Sequence, residues 1–169
     1  MDLSRLRTPV LAISIAIAFP PAVHAATKTA TFRVQATVQS DCTITATTLD
    51  FGNVFAATGT LTANVDATSQ INVTCTPNAA FTIALNQGDV ATSTIAARQM
   101  SNSAQLLAFQ LYGDTARSQI WGDGSAGSTT VGGTGDGTTH SHTVYGRIPP
   151  QPLPPVGNYV SNVTATITY

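Results

Sequence analysis

Apolar and polar residues alternate strictly along residues 29–39 of the chain. Successive side chains of a β-strand point to opposite faces, so this run predicts a strand with one apolar and one polar face. The polar face consists of threonine, arginine and glutamine, and the apolar face consists of Ala30, Phe32, Val34, Ala36 and Val38. From the pattern alone, this strand could simply be the first strand of the chain's own domain.

The same period of two recurs in later segments, and no helical period is present after residue 25. The segments are short and are separated by Gly, Asn, Asp and Pro, which is typical of a β-sandwich. Polar neighbours such as Thr74, Thr82 and Thr166 are expected to be much more exposed than the core. The alternation predicts strands near 42–46, 71–75, 81–85, 107–112 and 162–169, and a core formed by Phe51, Ile71, Val73, Phe81, Ile83, Leu85, Leu107, Phe109, Leu111, Val163 and Ile167.

Two segments interrupt this alternation. Residues 122–137 contain seven of the chain's 13 glycines, which predicts a flexible loop or hairpin tip. Residues 149–155 are rich in proline, which predicts a stiff, extended crossover into the last strand. Neither segment is expected to be a domain boundary, because the strand after the prolines is too short to fold alone.

The N-terminus has the composition of a secretory signal peptide. Arg5 and Arg7 precede an apolar run at residues 10–19, then two prolines and the small residues Val23-His24-Ala25 that a signal peptidase prefers. The apolar run is shorter than the roughly 20 residues that span a bilayer. We therefore expect cleavage after Ala25 and no membrane insertion of the mature chain. The expected divisions are a signal peptide at 1–25, an N-terminal extension at 26–40 and one β-sandwich domain at 41–169.

The charge of the mature chain is low and nearly balanced. Seven aspartates and no glutamate face the five basic residues Lys28, Arg33, Arg98, Arg117 and Arg147. Binding to nucleic acid or to an anionic membrane requires clustered Lys and Arg, so neither is an expected partner. Only 9% of all residues are charged. A surface with so little repulsive charge suits a protein that associates with others.

The chain has two cysteines, Cys42 and Cys75, and both fall on apolar strand faces. In an exported protein, two such cysteines are expected to form a disulfide. A metal site is the alternative, but no histidine lies near either cysteine in the sequence.

Residue types that could support catalysis or ligand binding are present without a recognisable motif. His140 and His142 would point to one face of a strand and could bind a metal, and Asp123 and Asp136 could bind calcium. Trp121 with Tyr112 and Tyr145 could form a sugar-binding platform, although burial in the core is favoured for these aromatics. No nucleophile elbow and no phosphate-binding loop occurs, so we predict neither an enzyme nor a cofactor.

Several ordered motifs together resemble one family. They are Thr31-Phe32-Arg33-Val34 before Cys42, Leu49-Asp50-Phe51-Gly52, Ile71-Asn72-Val73-Thr74-Cys75-Thr76, Arg98-Gln99-Met100, Leu107-Ala108-Phe109-Gln110-Leu111-Tyr112, Trp121-Gly122-Asp123-Gly124, Val144-Tyr145-Gly146-Arg147, and the ending from Pro155-Val156-Gly157-Asn158-Tyr159 to Thr166-Ile167-Thr168-Tyr169. This set resembles the spore coat protein U domain family, which also supplies the subunits of archaic chaperone–usher pili.

The resemblance implies an incomplete immunoglobulin-like β-sandwich that lacks its final strand. A missing strand leaves an apolar groove and an unpaired backbone edge. In related pili, a periplasmic chaperone fills the groove, and the N-terminal strand of the next subunit replaces it at the outer-membrane usher. The resemblance therefore implies that Ala30, Phe32, Val34, Ala36 and Val38 are donor residues, and that identical or related pilin subunits, a chaperone and an usher are the partners. The expected location is a surface fibre that supports adhesion or biofilm formation.

Two other functions stay open. One is an adhesive or carbohydrate-binding module, such as the tip of a fibre of this kind. The other is a surface or spore coat protein that assembles without an usher.

Overall fold

The computed structural model describes residues 24–169, so most of the predicted signal peptide lies outside the described residues. Within that range the chain is all-β, and no helix there is long and apolar enough to cross a membrane. The described residues belong to two units: 24–37 lie in the first, and 38–169 form the second. The second contains ten strands: β1 Cys42–Ala46, β2 Thr60–Leu61, β3 Val65–Cys75, β4 Ala80–Leu85, β5 Arg98–Asn102, β6 Gln105–Tyr112, β7 Val131–Thr134, β8 Thr139–Ile148, β9 Gln151–Pro152 and β10 Ala165–Thr168.

Five strands form the larger sheet, in the order β1-β3-β8-β6-β5, and every neighbouring pair is antiparallel. β3 and β8 form its centre, where ten residues of each strand pair from Val65↔Ile148 to Thr74↔Thr139. Val73 lies opposite His140, and Ile71 lies opposite His142. Strand β3 is long because its buried positions recur at every second residue from Ser69 to Cys75, as the alternation predicts.

A smaller sheet has the order β10-β4-β7, also antiparallel, and a two-stranded ribbon pairs β2 with β9. In β4, Phe81, Ile83 and Leu85 are buried and Thr82 is exposed, so this strand presents one apolar face. Ile167 of β10 lies opposite Ile83, and Ala165 lies opposite Leu85. The facing apolar sides of the larger and smaller sheets form a β-sandwich, as the sequence predicts.

Most of the predicted core is confirmed, but three of its residues are only half-buried. Phe51, Val163 and Ile167 remain partly exposed, whereas the other eight predicted core residues are buried. Thr82 and Thr166 are exposed as expected, but Thr74 is half-buried because its hydroxyl lies 2.8 Å from that of Thr139 on the adjacent strand. The partial exposure of the three apolar side chains reflects an opening in the sandwich, described below.

The glycine-rich segment is not entirely a loop. Residues 122–130 form a loop, but Val131–Thr134 form strand β7 and pair with β4, so the prediction of a loop or hairpin tip at 122–137 is wrong for residues 131–134. Residues 135–137 again lie outside any strand. Glycine permits this pairing because the Phe81 ring covers the backbone there. A Cβ added to Gly133 would lie 2.8 Å from Cζ of Phe81.

The proline-rich segment also contributes a strand. Gln151 and Pro152 pair with Leu61 and Thr60. The side-chain amide of Gln151 accepts the backbone N–H of Ala108 at 3.0 Å and donates to the Ala108 carbonyl at 2.8 Å. A single side chain thus satisfies the backbone groups of one residue of β6.

Trp121 and Arg98 are both completely buried. Trp121 connects the sheets, since its backbone N–H donates to Leu111 of β6 and its indole N–H donates to Ile83 of β4, both at 2.9 Å. Arg98 donates to the Trp121 carbonyl at 2.9 Å, to the Asn86 carbonyl at 2.8 Å and to the Gln110 side chain at 2.6 Å. Burial lowers the pKa of Arg98 to about 10, an effect that the charge of Asp123 partly offsets. The guanidinium therefore stays charged at neutral pH and cross-links backbone carbonyls from separate segments.

Candidate functional site: an open groove between two edge strands

Strands β1 and β10 are both edge strands. β1 pairs only with β3, and β10 pairs only with β4, so each has one backbone edge without a strand partner among residues 24–169. The Tyr169 hydroxyl after β10 donates to the Asp41 carboxylate before β1 at 3.4 Å. The two strands therefore run in opposite directions on either side of the same opening. Unpaired edges of this kind are sites for the addition of another strand.

An apolar groove continues from these edges. Its narrower part has a volume of about 340 Å³ and lies between residues 46–51 and residues 161–165. Its wider part has a volume of about 1180 Å³ and lies between residues 49–59 and residues 153–159. Leu49, Phe51 and Met100 line both parts, so the two form one continuous groove.

The walls of the groove are apolar side chains that the fold leaves half-covered. Leu49, Phe51, Val163 and Ala165 pack against the buried core but stay partly exposed. The Phe51 ring meets the buried Phe109 ring edge to face, with centroids 6.4 Å apart. Half-covered apolar side chains gain free energy from any further apolar cover, at about 25 cal/mol per Å² of buried area. The groove is thus an unfinished part of the hydrophobic core.

Hydrogen bonds fix the irregular segment that precedes β10. The Asp89 carboxylate accepts the backbone N–H of Asn162 at 2.9 Å, and the Asn86 side chain accepts that of Thr164 at 2.8 Å. Hydrogen bonds from the backbone and side chain of Asn162 lower the pKa of Asp89. This wall of the groove is therefore held in place without the neighbouring strand that would complete the sandwich.

The disulfide fixes the other wall. Cys42 and Cys75 are bonded, with Cα atoms 4.1 Å apart, and are directly opposite each other in the pairing of β1 with β3. The prediction of a disulfide from the sequence is confirmed, and no free thiol exists in the described residues. The bond connects the start of the edge strand β1 to the centre of the larger sheet.

The predicted donor residues are exposed in the structure. Residues 29–39 form neither a strand nor a helix, and the exposed fractions are 85% for Phe32, 82% for Val34 and 91% for Val38. Ala30 and Ala36 are also exposed. Despite its alternating polarity, this segment therefore forms no strand within the single chain, and its apolar side chains are exposed to solvent.

The two histidines of β8 have different surroundings. Nε2 of the exposed His140 lies 3.0 Å from the Asp136 carboxylate. Hydrogen bonds from the side chain and backbone of Thr138, followed by that from His140, lower the pKa of Asp136 to about 2. His142 packs edge to face on Phe81 at 5.9 Å, and its buried Nε2 has no hydrogen-bond partner. Burial, followed by the charge of His140, lowers the pKa of His142. No group of three or more metal-ligating side chains occurs among residues 24–169.

The structure does not bring together the other side chains considered for binding. Trp121 is fully buried, so it cannot form a surface platform with Tyr112 and Tyr145, which pair with each other on the larger sheet. Asp123 accepts hydrogen bonds from Ser125 in its own turn, and Asp136 does the same with Thr138. The favoured interpretation of Trp121 as a core residue is confirmed.

Comparison with known proteins agrees with this geometry. The family model of the Spore Coat Protein U domain matches residues 28–166 of this chain. Protein U of Myxococcus xanthus is 33% identical over 182 aligned positions, which cover 99% of this chain and all of that protein. A chain in the crystal structure of the CsuC–CsuE chaperone–tip adhesion subunit pre-assembly complex, from archaic chaperone–usher Csu pili of Acinetobacter baumannii, shares the fold. Its TM-score is 0.56 at 18% identity, and the match covers 79% of this chain and 41% of that one. The chain belongs to the spore coat protein U domain family.

Proposed function

We propose that this protein is a structural subunit of a bacterial surface pilus and that it polymerises by donor-strand exchange. Residues 29–39 of each copy that joins the fibre fill the groove of the copy added before it. One observation carries this proposal: a single chain has both an unfilled apolar groove between two edge strands and an exposed segment of strictly alternating polarity. The groove lacks a strand that would cover its apolar side chains, and the segment lacks a surface that would cover its own.

The energetics favour the exchange. An inserted strand places its five apolar side chains in the groove, and full burial of Phe32 or Val34 contributes about 1.5–3 kcal/mol each. Its backbone can pair with the free edges of β1 and β10, which adds hydrogen bonds that depend on geometry rather than on sequence. At about 3.3 Å per residue, the stretch from Ala30 to Val38 spans roughly 26 Å as a strand. That length exceeds the reach of β10 alone and suits a groove that continues past it.

The same geometry requires protection before assembly. An open apolar groove with two free edges is an aggregation hazard in the periplasm. We propose that a periplasmic chaperone lends a strand to the groove and that an outer-membrane usher directs the replacement of that strand by residues 29–39. The structurally similar chain comes from a complex of a chaperone with a tip subunit of Csu pili, which supports a chaperone as a partner of this chain. On this account the chain is exported and displayed at the cell surface, where the fibre supports adhesion or biofilm formation.

The proposal assigns the divisions of the chain accordingly. Residues 1–25 direct export, residues 26–40 are the donor extension and residues 41–169 are the acceptor domain. No catalytic step and no cofactor belongs to this function.

A second function has a specific observation in its favour. The match to Protein U of Myxococcus xanthus covers both chains almost completely, so a coat protein that assembles without an usher is the alternative. Expression with and without chaperone and usher genes separates the two functions. A pilin gives fibres only when both are present, whereas a coat protein gives assemblies without them.

The donor role is tested by the double variant Phe32→Asp and Val34→Asp. Two carboxylates cannot enter the apolar groove without a large desolvation cost, so the variant should give no fibres by electron microscopy and no heat-sensitive multimers on gels. The matched control is Thr31→Asp with Gln35→Asp, which adds the same charges to the polar face of the same segment; at about 500 mM salt, where surface charges are screened, it should assemble. Normal fibres from the Phe32 and Val34 variant would show that residues 29–39 are not the donor.

A further inference from the structure

Charge is distributed unevenly along the mature chain. Residues 26–40 contain two basic side chains, Lys28 and Arg33, and no acidic one. Residues 41–169 contain three arginines and seven aspartates, so they have an excess of four negative charges. The extension and the domain therefore carry opposite net charge.

The domain neutralises little of this negative charge itself. Arg98 is buried, and the side chains of Arg117 and Arg147 both lie near Asp66, at 3.4 and 2.8 Å. The Asp136 carboxylate lies 3.0 Å from Nε2 of His140. Within residues 24–169, the remaining aspartates of the domain form no ion pair with a basic side chain; they are Asp41, Asp50, Asp89, Asp114 and Asp123.

Asp50 is the one charged residue among the described residues that line the groove. It is exposed and lies between Leu49 and Phe51, whose half-buried side chains line both parts of the groove. Its carboxylate accepts the backbone N–H of Gly52 at 2.8 Å, which fixes the local turn but leaves the charge unneutralised. A negative charge is thus held at the rim of an otherwise uncharged apolar groove.

Arg33 is the matching charge on the extension. It is the only charged residue of the alternating segment 29–39 and lies between Phe32 and Val34. When Phe32 and Val34 point into the groove, alternation places Arg33 on the outer side of the strand. Asp50 follows the end of β1 at the rim of the groove and is exposed, so its carboxylate is open to a side chain on the outer side of an inserted strand.

We propose that Asp50 binds Arg33 of a neighbouring copy, and that this pair, with the opposite net charges around it, directs head-to-tail association. The proposal rests on the donor role of residues 29–39. Two extensions repel each other and two domains repel each other, whereas an extension and a domain attract. The attraction raises the association rate and disfavours head-to-head contacts. Because the pair is at the surface, its equilibrium effect is modest and is screened by salt.

A charge-swap experiment on the mature chain tests this pair. The variants are Arg33→Asp, Asp50→Arg and the combination of both, and the rate of multimer formation is measured at about 20 mM and about 500 mM salt. At low salt each single variant should assemble about three- to ten-fold more slowly than wild type, and the combined variant should assemble faster than either single variant but not fully recover, because its extension no longer has a net positive charge. At high salt the differences should largely disappear.

Asp50→Asn is the matched control for folding, because its side-chain oxygen can still accept the N–H of Gly52. It should assemble about two- to five-fold more slowly at low salt, since only the charge is lost. A combined variant no faster than the single variants, or an Asp50→Asn variant equal to wild type at low salt, would overturn the proposal. The Phe32 and Val34 variant keeps the two questions apart. If it fails to assemble while the charge swaps have no effect, the ion pair is wrong and the donor role stands; if it assembles, the donor role itself is wrong.

Discussion

The core around Trp121 and the core along the groove differ in how their apolar surface is covered. Around Trp121, the indole N–H, the Arg98 guanidinium and the Gln110 amide satisfy backbone groups of both sheets, and every one of these side chains is buried. Along the groove, the apolar side chains of Phe51 and Val163 remain partly exposed beside unpaired strand edges. The first region is complete within one chain, whereas the second leaves apolar side chains open to water. Under the proposed donor-strand exchange, a strand from another copy would cover the second region.

The largest expected effect on the free energy of unfolding comes from truncating the Trp121 side chain, and truncation of Phe51 in the groove is its comparison. Trp121→Ala should lower the free energy of unfolding of the monomer by about 3–5 kcal/mol, because it removes a fully buried side chain and leaves a cavity. Phe51→Ala should cost about 1–2 kcal/mol in the monomer, since its side chain is only partly buried and already contacts water. Chemical denaturation followed by circular dichroism measures both. Equal costs would contradict the distinction between a complete and an incomplete region.

Phe51→Ala should instead show its main effect on the multimer. There the inserted strand covers the Phe51 ring, so the variant multimers should dissociate on gels at lower temperature than wild type. Multimers formed from folded Trp121→Ala monomers should dissociate at a temperature closer to that of wild type than Phe51→Ala multimers do. The opposite order would place the assembly contact elsewhere.

The disulfide provides the next effect in size. Replacing both cysteines by alanine removes a cross-link that closes a loop with a sequence separation of 33 residues. The chain-entropy relation gives a loss of about 3–4 kcal/mol in the free energy of unfolding. Because Cys42 begins the edge strand β1, the variant should also lose hydrogen-exchange protection first in residues 42–46, before β3 or β8. Uniform loss of protection over the whole larger sheet would show that the bond does not act specifically on the groove wall.

The smallest effect concerns pH and His142. Burial lowers the pKa of His142 in the folded state below its ordinary value of about 6.5. As the pH falls below about 6.5, the unfolded chain takes up a proton before the folded one, so stability decreases. His142→Phe keeps an aromatic ring on Phe81 but cannot titrate, and its stability should change less between pH 7 and pH 5 than that of wild type. His140 and Asp136 remain in both proteins, so an identical pH dependence would rule out His142 as the cause.

The sequence was informative wherever one face of a strand is buried. Ile71, Phe81 and Leu107 belong to segments whose large apolar residues recur at every second position, and each segment is a strand with that face in the core. Strand β5, Arg98-Gln99-Met100-Ser101-Asn102, has no such alternation and forms through its pairing with β6. Strand β7 contains two glycines and resembles a loop by composition, yet it fits under Phe81 because those glycines have no side chain.

The site was predicted less completely than the fold. Hydrophobicity marks Phe51, Val163 and Ile167 as core residues, but it cannot show that their covering strand is absent from the domain. The burial of Arg98 has no local signal, because its acceptors come from distant parts of the chain and only the folded structure brings them together. Asp50 was visible only as part of a family motif, and its place at the groove rim follows from the three-dimensional structure.

The central claim is that one copy donates residues 29–39 to the groove of another, and a mixing experiment tests it most directly. The Phe32→Asp and Val34→Asp variant keeps an intact groove, so it can accept a strand from wild type but cannot donate one. Added to wild type during assembly and labelled with gold, it can only be the first copy of a fibre, because every later copy must donate a strand to the copy before it; electron micrographs should therefore show its label at one fibre end and nowhere along the fibre. At about 500 mM salt, where surface charges are screened, the Thr31→Asp and Gln35→Asp control should be labelled along the whole fibre. Label from the Phe32 and Val34 variant along the length of the fibres would contradict the account.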